Sequence, residues 1–298
     1  MVDALPDDRD DFLRADSKIA SPRFSVVIPA VNESRYIGTC LRSLAEQDFT
    51  GGLEIIVVDN ASTDDTASIA RSFGATVVVE PRPGVCFARE LGTQLAVGEF
   101  VISTDADTVF DRGWLSRIDQ SLTRQPECVA VAGPCRFVRG PWWGGVYSWM
   151  LFGLVHLLFL ATGRVFYVSA TNIAFRRSAW SGYDTRLTQG GDELDLLRQL
   201  RSRGPVSFDI RNPTFTSARR LRRGLVYNVV VTCLFYYLLG YGLNRVFGRR
   251  VMGTAPEIRG SDNSFLRVRS VWLPRLAAAS AVLALVMLSR LAEAEGLV

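Results

Sequence analysis

The sequence is poor in the residues that build disulfide frameworks and soft-metal sites. It contains one histidine, His156, and five cysteines in 298 residues. Because the cysteines are odd in number and lack metal-type spacing, we expect no disulfide framework, which is typical of a reducing compartment. We also expect no signal peptide, since the first 20 residues lack an apolar core segment. A net charge of +4 gives no reason to expect nucleic acid as a partner.

Apolar residues make up an ordinary 48% of the chain but are unevenly spread. Residues 1–21 are polar and acidic, and we expect a flexible tail there. The basic residues are nearly all arginine, and they cluster late, at 219–223 and 245–250. Such clusters beside apolar helices suit anionic lipid headgroups, with a solvated surface as the alternative.

Apolar strands alternate with helices through the first third of the chain. The predicted strands lie at 24–29, 53–59, 75–79 and 99–104, and the predicted helices at 34–46, 63–73 and 84–96. This alternation predicts an α/β fold with a mostly parallel sheet flanked by helices. Ligands of such sheets bind at the carboxyl ends of the strands, where Pro29, Asp59 and Asp105 fall.

Three long apolar segments follow, at 142–166, 224–247 and 271–291. We expect the first to lie in the membrane interface as a helix or helical hairpin, because one crossing would separate two globular parts; a buried core helix is the alternative. The other two are predicted membrane helices that follow a basic juxtamembrane segment, so residues 219–298 form the membrane part. Interfacial lodging is their alternative.

Two carboxylates stand one residue apart in Asp105-Ala106-Asp107, directly after the apolar run at 99–102. At a sheet edge, such a pair is placed to hold a divalent cation that neutralises a diphosphate. Mg²⁺ or Mn²⁺ fits, since hard cations prefer oxygen ligands. A helix cap or turn is the alternative explanation of this pair.

Three strand-end segments, at 27–33, 56–64 and 103–107, together resemble the nucleotide-diphospho-sugar transferases called family 2 glycosyltransferases, of GT-A fold. The resemblance runs from about residue 24 to 213, so we expect the catalytic domain at 22–218. It implies an inverting enzyme in which a nucleotide-sugar is the donor. The residues it assigns to donor binding are Pro29, Asn32, Glu33, Asp59, Asn60, Arg89 and Asp105.

The same resemblance implies that Asp107 binds the metal directly, with Asp105 facing the ribose or a metal-bound water. Arg89 would lie near the donor phosphates. The segment at 168–177 resembles the acceptor side of the family, so Asn172 is predicted to contact sugar or acceptor, with a plain edge strand as the alternative. Arg219 and Arg220 are predicted to contribute to a phosphate or lipid-headgroup site, since arginine pairs bidentately with phosphate.

The general base is expected in Gly191-Asp192-Glu193, where the family carries Glu-Asp and this chain has the reverse order. By position the base is Glu193, and by residue type it is Asp192; we favour Glu193. A carboxylate serves as a base when the site raises its pKa. A helix N-terminus that favours acids is the structural alternative.

These features predict a membrane-bound glycosyltransferase with its catalytic domain on the cytoplasmic face. The expected acceptor is a lipid-linked or membrane-embedded hydroxyl group. A polyprenyl-phosphate sugar transferase is the nearest alternative, because a phosphate nucleophile needs no base. A processive polysaccharide synthase lacks support without a Gln-x-x-Arg-Trp signature, and a sugar nucleotidyltransferase would need a Gly-rich basic loop after the first strand. A nucleotide-sugar-binding protein without catalysis is a further alternative.

Overall fold

The computed structural model describes residues 21–185 and 192–228, together with residues 235, 239 and 243. The predicted acidic tail up to residue 20 and the predicted membrane helix at 271–291 lie outside these residues. So does nearly all of the predicted helix at 224–247. The predictions for these segments therefore stay predictions.

The described residues form ten strands and six α-helices. The strands are β1 Phe24–Ala30, β2 Leu53–Asp59, β3 Thr76–Val79, β4 Phe100–Ser103, β5 Thr108–Phe110, β6 Ala130–Ala132, β7 Cys135–Val138, β8 Ile173–Arg176, β9 Val206–Phe208 and β10 Thr214–Ser217. The helices are α1 Ile37–Ala45, α2 Thr66–Ser72, α3 Val85–Leu95, α4 Trp114–Arg124, α5 Trp142–Thr162 and α6 Asp192–Arg201. A short 3₁₀ helix, Ala218–Arg223, follows β10 and is called the arginine turn below.

Seven strands form the main sheet, in the order β3-β2-β1-β4-β8-β6-β9, and β5-β10-β7 form a small second sheet. The four strands predicted from the sequence are parallel neighbours, and β8 runs antiparallel to both β4 and β6. The prediction of an α/β fold with a mostly parallel sheet is confirmed. The alternative of an edge strand at 168–177 is wrong, because β8 lies between two other strands.

Pro29 lies inside β1 and does not end it, which corrects the predicted strand boundary. Its Cα pairs with Val58 of β2, and the strand continues to Ala30. On the other side, the ladder between β1 and β4 ends at Val27 and Ser103. The missing N–H of Pro29 falls on this side, beyond the last rung, so the proline costs the sheet no hydrogen bond.

The two faces of the main sheet each carry an apolar core. Val27 of β1 packs into a core with α3, α5 and α6, whereas Val26 and Ile28 pack into a second core with α1 and α4. Successive strand side chains point to opposite faces, so one strand serves both cores. The helices on both faces thus hold the strand ends, and the loops that follow them, in fixed positions.

Helix α5 is a single helix of 21 residues, and the predicted hairpin does not form. Only Gly144, Ser148, Phe152 and Val155 are buried, so a core helix is wrong as well. Within residues 21–185 and 192–228, α5 alone is long and apolar enough to cross a membrane. Strands on either side of it pair directly, Val131 of β6 with Ala174 of β8. One crossing would place those paired strands on opposite sides, so α5 does not span.

Gly92 of α3 sets how closely this helix packs on the sheet. A Cβ atom added there would lie 2.5 Å from Cγ1 of Val27 and 2.8 Å from Cγ2 of Val58. We expect Gly92→Ala to lower the free energy of unfolding by about 1–3 kcal/mol through overpacking, measured by chemical denaturation. The control is Gly153→Ala on α5, where a Cβ meets nothing within 4 Å. Equal stability of the two variants would contradict the close approach.

Candidate active site

The loops after β1 and β2 are tied to each other by side-chain hydrogen bonds. The Oδ1 atom of Asn32 accepts from the backbone N–H of Thr63 at 2.8 Å, and the N–H of Asn32 donates to Oγ of Ser62 at 3.0 Å. The N–H of Glu33 donates to Oγ1 of Thr66 at 2.8 Å. Asn32 adopts a left-handed φ of 52°, which asparagine tolerates better than most residues. The loop that carries Glu33 is therefore held against the loop after β2.

Asp59 and Asn60 organise the end of β2. Both are buried, and Oδ1 of Asp59 accepts from the N–H of Ser62 at 3.1 Å. The Nδ2 group of Asn60 donates to the carbonyl oxygens of Glu80 and Arg82, each at 2.7 Å. These contacts fix the segment that leads into α3. Binding of the nucleoside by Asp59 stays a prediction.

Arg219 of the arginine turn joins Glu33 to Asp107. Its Nη2 atom lies 2.5 Å from Oε1 of Glu33 and 3.0 Å from Oδ2 of Asp107, and its Nε donates to the same Oδ2 at 3.2 Å. Asp107 also accepts from Oγ1 of Thr216 at 3.1 Å. The sequence predicted that Arg219 contributes to a phosphate or lipid-headgroup site. It gave no indication that Arg219 pairs with two acids of the site.

The surroundings of Glu33 fit a role beside a cation. Burial raises the pKa of Glu33 above its ordinary value, the Arg219 guanidinium opposes this, and the charges of Asp107 and Asp105 add to it. Its Oε2 atom is buried without a hydrogen-bond partner. Convergent carboxylates with a vacant buried oxygen are suited to a hard cation that takes its remaining ligands from a diphosphate. Among the described residues, no cluster of three or more acids, histidines or cysteines forms a preassembled metal site.

Arg89 of α3 joins Asp105 to Asp192. It is 4% exposed, its Nη2 donates to Oδ1 of Asp105 at 2.7 Å, and its Nη1 donates to Oδ2 of Asp192. Arg89 thus forms a buried bridge between the Asp-x-Asp segment and the first residue of α6. A buried arginine without these two carboxylates would be strongly unfavourable.

The two candidate bases at the start of α6 differ in their electrostatic surroundings. Asp192 is buried and paired with Arg89. Burial raises the pKa of Glu193 well above its ordinary value of 4.5, and the negative charge of Asp192 raises it further, while Arg89 acts against both. The raised pKa of Glu193 increases its strength as a proton acceptor, whereas the carboxylate of Asp192 is occupied by its ion pair with Arg89.

The side chain of Asn172 connects α4 to the two loops that precede β7 and β10. Its Oδ1 accepts from the indole N–H of Trp114 at 3.1 Å. Its Nδ2 donates to the carbonyl oxygens of Pro134 at 2.9 Å and of Asn212 at 2.8 Å. These bonds give Asn172 a structural role, and contact with sugar or acceptor stays a prediction. The side chain of Arg220 lies outside what the structure describes.

Glu90 of α3 links this helix to a distant segment of the chain. Its Oε2 accepts from the backbone N–H of Tyr183 at 2.6 Å and its Oε1 from Nε2 of Gln94 at 2.7 Å. Glu90 therefore ties α3 to the segment that precedes residues 186–191. No local sequence signal indicates the contact with Tyr183, because 93 residues separate Tyr183 from Glu90.

With this geometry in place, similarity to known proteins becomes informative. Residues 25–183, more than half of the chain, match the family described as Glycosyl transferase family 2. The chain belongs to glycosyltransferase family 2. The predictions of the family, of an α/β GT-A fold and of a glycosyltransferase as the enzyme class are confirmed, whereas the predicted C-terminal membrane helices stay predictions.

Curated relatives agree with this assignment. An uncharacterised glycosyltransferase of Mycobacterium tuberculosis is 37% identical over 125 residues, which cover 42% of this chain and 54% of the relative. A PGL/p-HBAD biosynthesis glycosyltransferase of the same species is 33% identical over 107 residues, covering 34% and 41%. This chain therefore spans about half the length of the curated relatives it matches.

Solved structures share the fold of this family 2 enzyme. The mannosyltransferase PcManGT from Pyrobaculum calidifontis, in complex with GDP-Man and Mn²⁺, has a TM-score of 0.58 at 20% identity, covering 94% of this chain and 81% of that one. S. aureus TarS in complex with UDP has a TM-score of 0.57 at 21% identity, covering 88% and 80%. At this identity the likeness extends to the fold.

The bonds of Asn172 predict a stability effect. Asn172→Ala would remove the partner of the indole N–H of Trp114 and of the carbonyl oxygen of Asn212, while the carbonyl oxygen of Pro134 keeps the N–H of Thr214 at 3.0 Å. We therefore expect the free energy of unfolding to fall by about 2 kcal/mol. Chemical denaturation of the full chain measures this. Unchanged stability together with lost transfer activity would instead assign Asn172 to the acceptor.

Proposed function

We propose that this enzyme transfers a sugar, with inversion, from a nucleotide-diphospho-sugar to a hydroxyl group of a lipid-linked or membrane-embedded acceptor. The observation that carries the proposal is the position of Glu193 beside a buried network of charged side chains. This carboxyl adjoins Asp192, which Arg89 bridges to Asp105 of the Asp-x-Asp segment. A base is thereby connected to the place where the donor diphosphate is expected.

Each strand end contributes one part of the proposed donor site. Asp59 accepts hydrogen bonds from the nucleoside, and Asn32 and Asn60 hold the loops that surround it. Asp107, with Asp105 and Glu33 nearby, would hold Mg²⁺ or Mn²⁺. When bound, such a cation stabilises the charge of the leaving diphosphate. The structure of PcManGT with GDP-Man and Mn²⁺ supports this choice of cofactor.

Glu193 would act as the general base that removes the proton of the acceptor hydroxyl group. Its raised pKa makes it a stronger base than an ordinary carboxylate, and Arg89 pairs with Asp192 beside it. The base must be ionised to act, so turnover should rise as pH increases through the pKa of Glu193. This electrostatic arrangement favours a hydroxyl acceptor over a phosphate acceptor, since a phosphate nucleophile is already ionised.

We expect Glu193→Gln to abolish release of nucleoside diphosphate while donor binding is retained, because the amide cannot accept the proton. The assay uses a panel of nucleotide-sugars with Mn²⁺ and a lipid extract. The pKa of Glu193 is raised on folding, so its ionisation destabilises the fold above pH 4.5. Glu193→Gln should therefore raise the melting temperature at pH 8 and leave it unchanged at pH 4.

The companion variant is Asp192→Asn, which removes the neighbouring negative charge. It should shift the acidic limb of the pH–rate profile to lower pH, because that charge helps to raise the pKa of Glu193. Full turnover by Glu193→Gln and by the double amide variant would contradict a hydroxyl acceptor and indicate a phosphate acceptor. No diphosphate release by the wild-type chain with any donor would contradict the transferase proposal.

The exposed face of α5 supports a membrane-embedded acceptor. Trp142 is 85% exposed and Trp149 is 75% exposed, and they begin an apolar stripe that continues along the helix through Val146, Met150, Leu154, Leu157, Leu158 and Leu160. Tryptophans with a long apolar stripe are typical of helices that lie in the membrane interface. Leu225 and Val226, after the arginine turn, are also exposed.

Arginines accompany this apolar surface. Arg139 precedes α5, Arg164 follows it, and Arg222 lies on the arginine turn, and all three are exposed. Basic side chains at the rim of an apolar face attract anionic headgroups. The four described cysteines are free, which suits a reducing, cytoplasmic side. These features support our proposal that the catalytic domain lies on the cytoplasmic face of a membrane and contacts it through α5.

A fluorophore on α5 tests the depth of this face. In the full chain, an environment-sensitive label at Trp149→Cys or Leu157→Cys should shift its emission to shorter wavelength when vesicles of phosphatidylcholine and phosphatidylglycerol are added, since the label enters an apolar medium. The matched control is Thr123→Cys on α4, an exposed position away from the stripe, and unsubstituted protein gives the background. Equal emission with and without vesicles at both α5 positions would contradict the membrane contact.

A further inference from the structure

One guanidinium group occupies the centre of the acidic site. Arg219 makes contacts of 3.2 Å or less with Glu33 and Asp107, which follow β1 and β4, and it comes from a turn more than 100 residues further along the chain. Its guanidinium carbon lies 4.8 Å from the centre of the Tyr36 ring. A positive charge from a distant part of the sequence thus pairs with two acids that the fold brings together.

The three charged side chains are largely withdrawn from water. Their exposed fractions are 14% for Glu33, 11% for Asp107 and 23% for Arg219. Two carboxylates that contact the same guanidinium group would repel each other if that group were absent. Partial burial weakens the screening of this repulsion by water. The site therefore requires a positive charge, and in this structure Arg219 supplies it.

A guanidinium group and a divalent cation cannot both use the same lone pairs. Arginine has only donors, so it contributes no ligand to a metal and competes for carboxylate oxygens. Oδ2 of Asp107 receives both Nη2 and Nε of Arg219. That oxygen belongs to the carboxylate expected to hold Mg²⁺ or Mn²⁺.

We propose that Arg219 is an internal counter-ion that closes the cation site in the donor-free enzyme and must release Asp107 before a divalent cation binds there. The inference rests on the proposed function for the identity of the cation site. It assigns to Arg219 a regulatory contact that precedes any contact with phosphate. Once released, the guanidinium is free to pair with the anionic oxygens of the donor diphosphate.

The release needs movement of one side chain and leaves the sheet intact. Asp107 keeps a bond from Oγ1 of Thr216 at 3.1 Å, and its carbonyl oxygen accepts from the N–H of Ser217 at 3.2 Å. These bonds continue the antiparallel pairing of β5 with β10. The carboxylate of Asp107 is therefore held in place independently of Arg219.

The test measures binding of Mn²⁺ alone to the purified full chain, by calorimetry and by the electron paramagnetic resonance signal of free Mn²⁺. We expect Arg219→Gln to bind Mn²⁺ about tenfold or more tightly than wild type, because the competing charge is removed. Arg219→Lys keeps the charge without the planar fork and should be intermediate. The control is Arg136→Gln, an exposed arginine on β7 beside β10, which should bind as wild type does.

Thermal unfolding gives a second readout that does not depend on catalysis. Without metal, Arg219→Gln should melt at a lower temperature than wild type, since Glu33 and Asp107 then face each other without a counter-ion. Mn²⁺ should raise its melting temperature more than that of wild type, because a ligand stabilises the state that binds it.

The opposite results are equally clear. The proposal is overturned if Arg219→Gln and Arg219→Lys bind Mn²⁺ no more tightly than wild type, or if no form of the chain binds it. It is also overturned if Asp107→Asn in the Arg219→Gln background leaves the tighter binding unchanged. Diphosphate release from a nucleotide-sugar is measured separately, so the glycosyltransferase proposal can stand or fail by itself.

Discussion

Two arginines pair with four carboxylates at the carboxyl end of the main sheet, and the proposed site depends on these pairings. Arg89 holds Asp105 and Asp192, and Arg219 holds Glu33 and Asp107. Acids at this density would repel each other strongly in a partly buried place without the positive groups. Each aspartate of the Asp-x-Asp segment thus forms an ion pair with a different arginine.

The pairings follow from how the sheet is built. Parallel neighbours β1, β2 and β4 bring their carboxyl ends to one edge, and antiparallel β8 extends the same sheet beyond β4. Arg89 reaches this edge from α3, and Arg219 reaches it from the arginine turn, which follows β10 of the small sheet. Glycosyl transfer needs this convergence, because nucleoside, diphosphate and acceptor must be held at once.

Much of the fold was predictable because its signals are local. Apolar runs of strand length, alternating with helical spacing, indicated β1 to β4 and the helices between them, and the structure has them within a few residues. The end of β1 was misplaced at Pro29, since a proline is compatible with a strand wherever its nitrogen faces no partner. The sequence left a single helix and a helical hairpin open for α5, because composition does not distinguish the two, and the structure has the single helix.

The sequence by itself determined the family and the set of acids, since Asn32-Glu33, Asp59-Asn60 and Asp105-Ala106-Asp107 follow apolar strands in the order that the family shows. Only the tertiary structure decided which charges meet. Arg89 and Asp192 are 103 residues apart, and Arg219 and Glu33 are 186 apart. No local pattern encodes such contacts, because they depend on the packing of α3, α6 and the arginine turn against one sheet edge. The same packing pairs Asp192 with Arg89 and raises the pKa of Glu193. The sequence could not reveal this difference between two neighbouring acids.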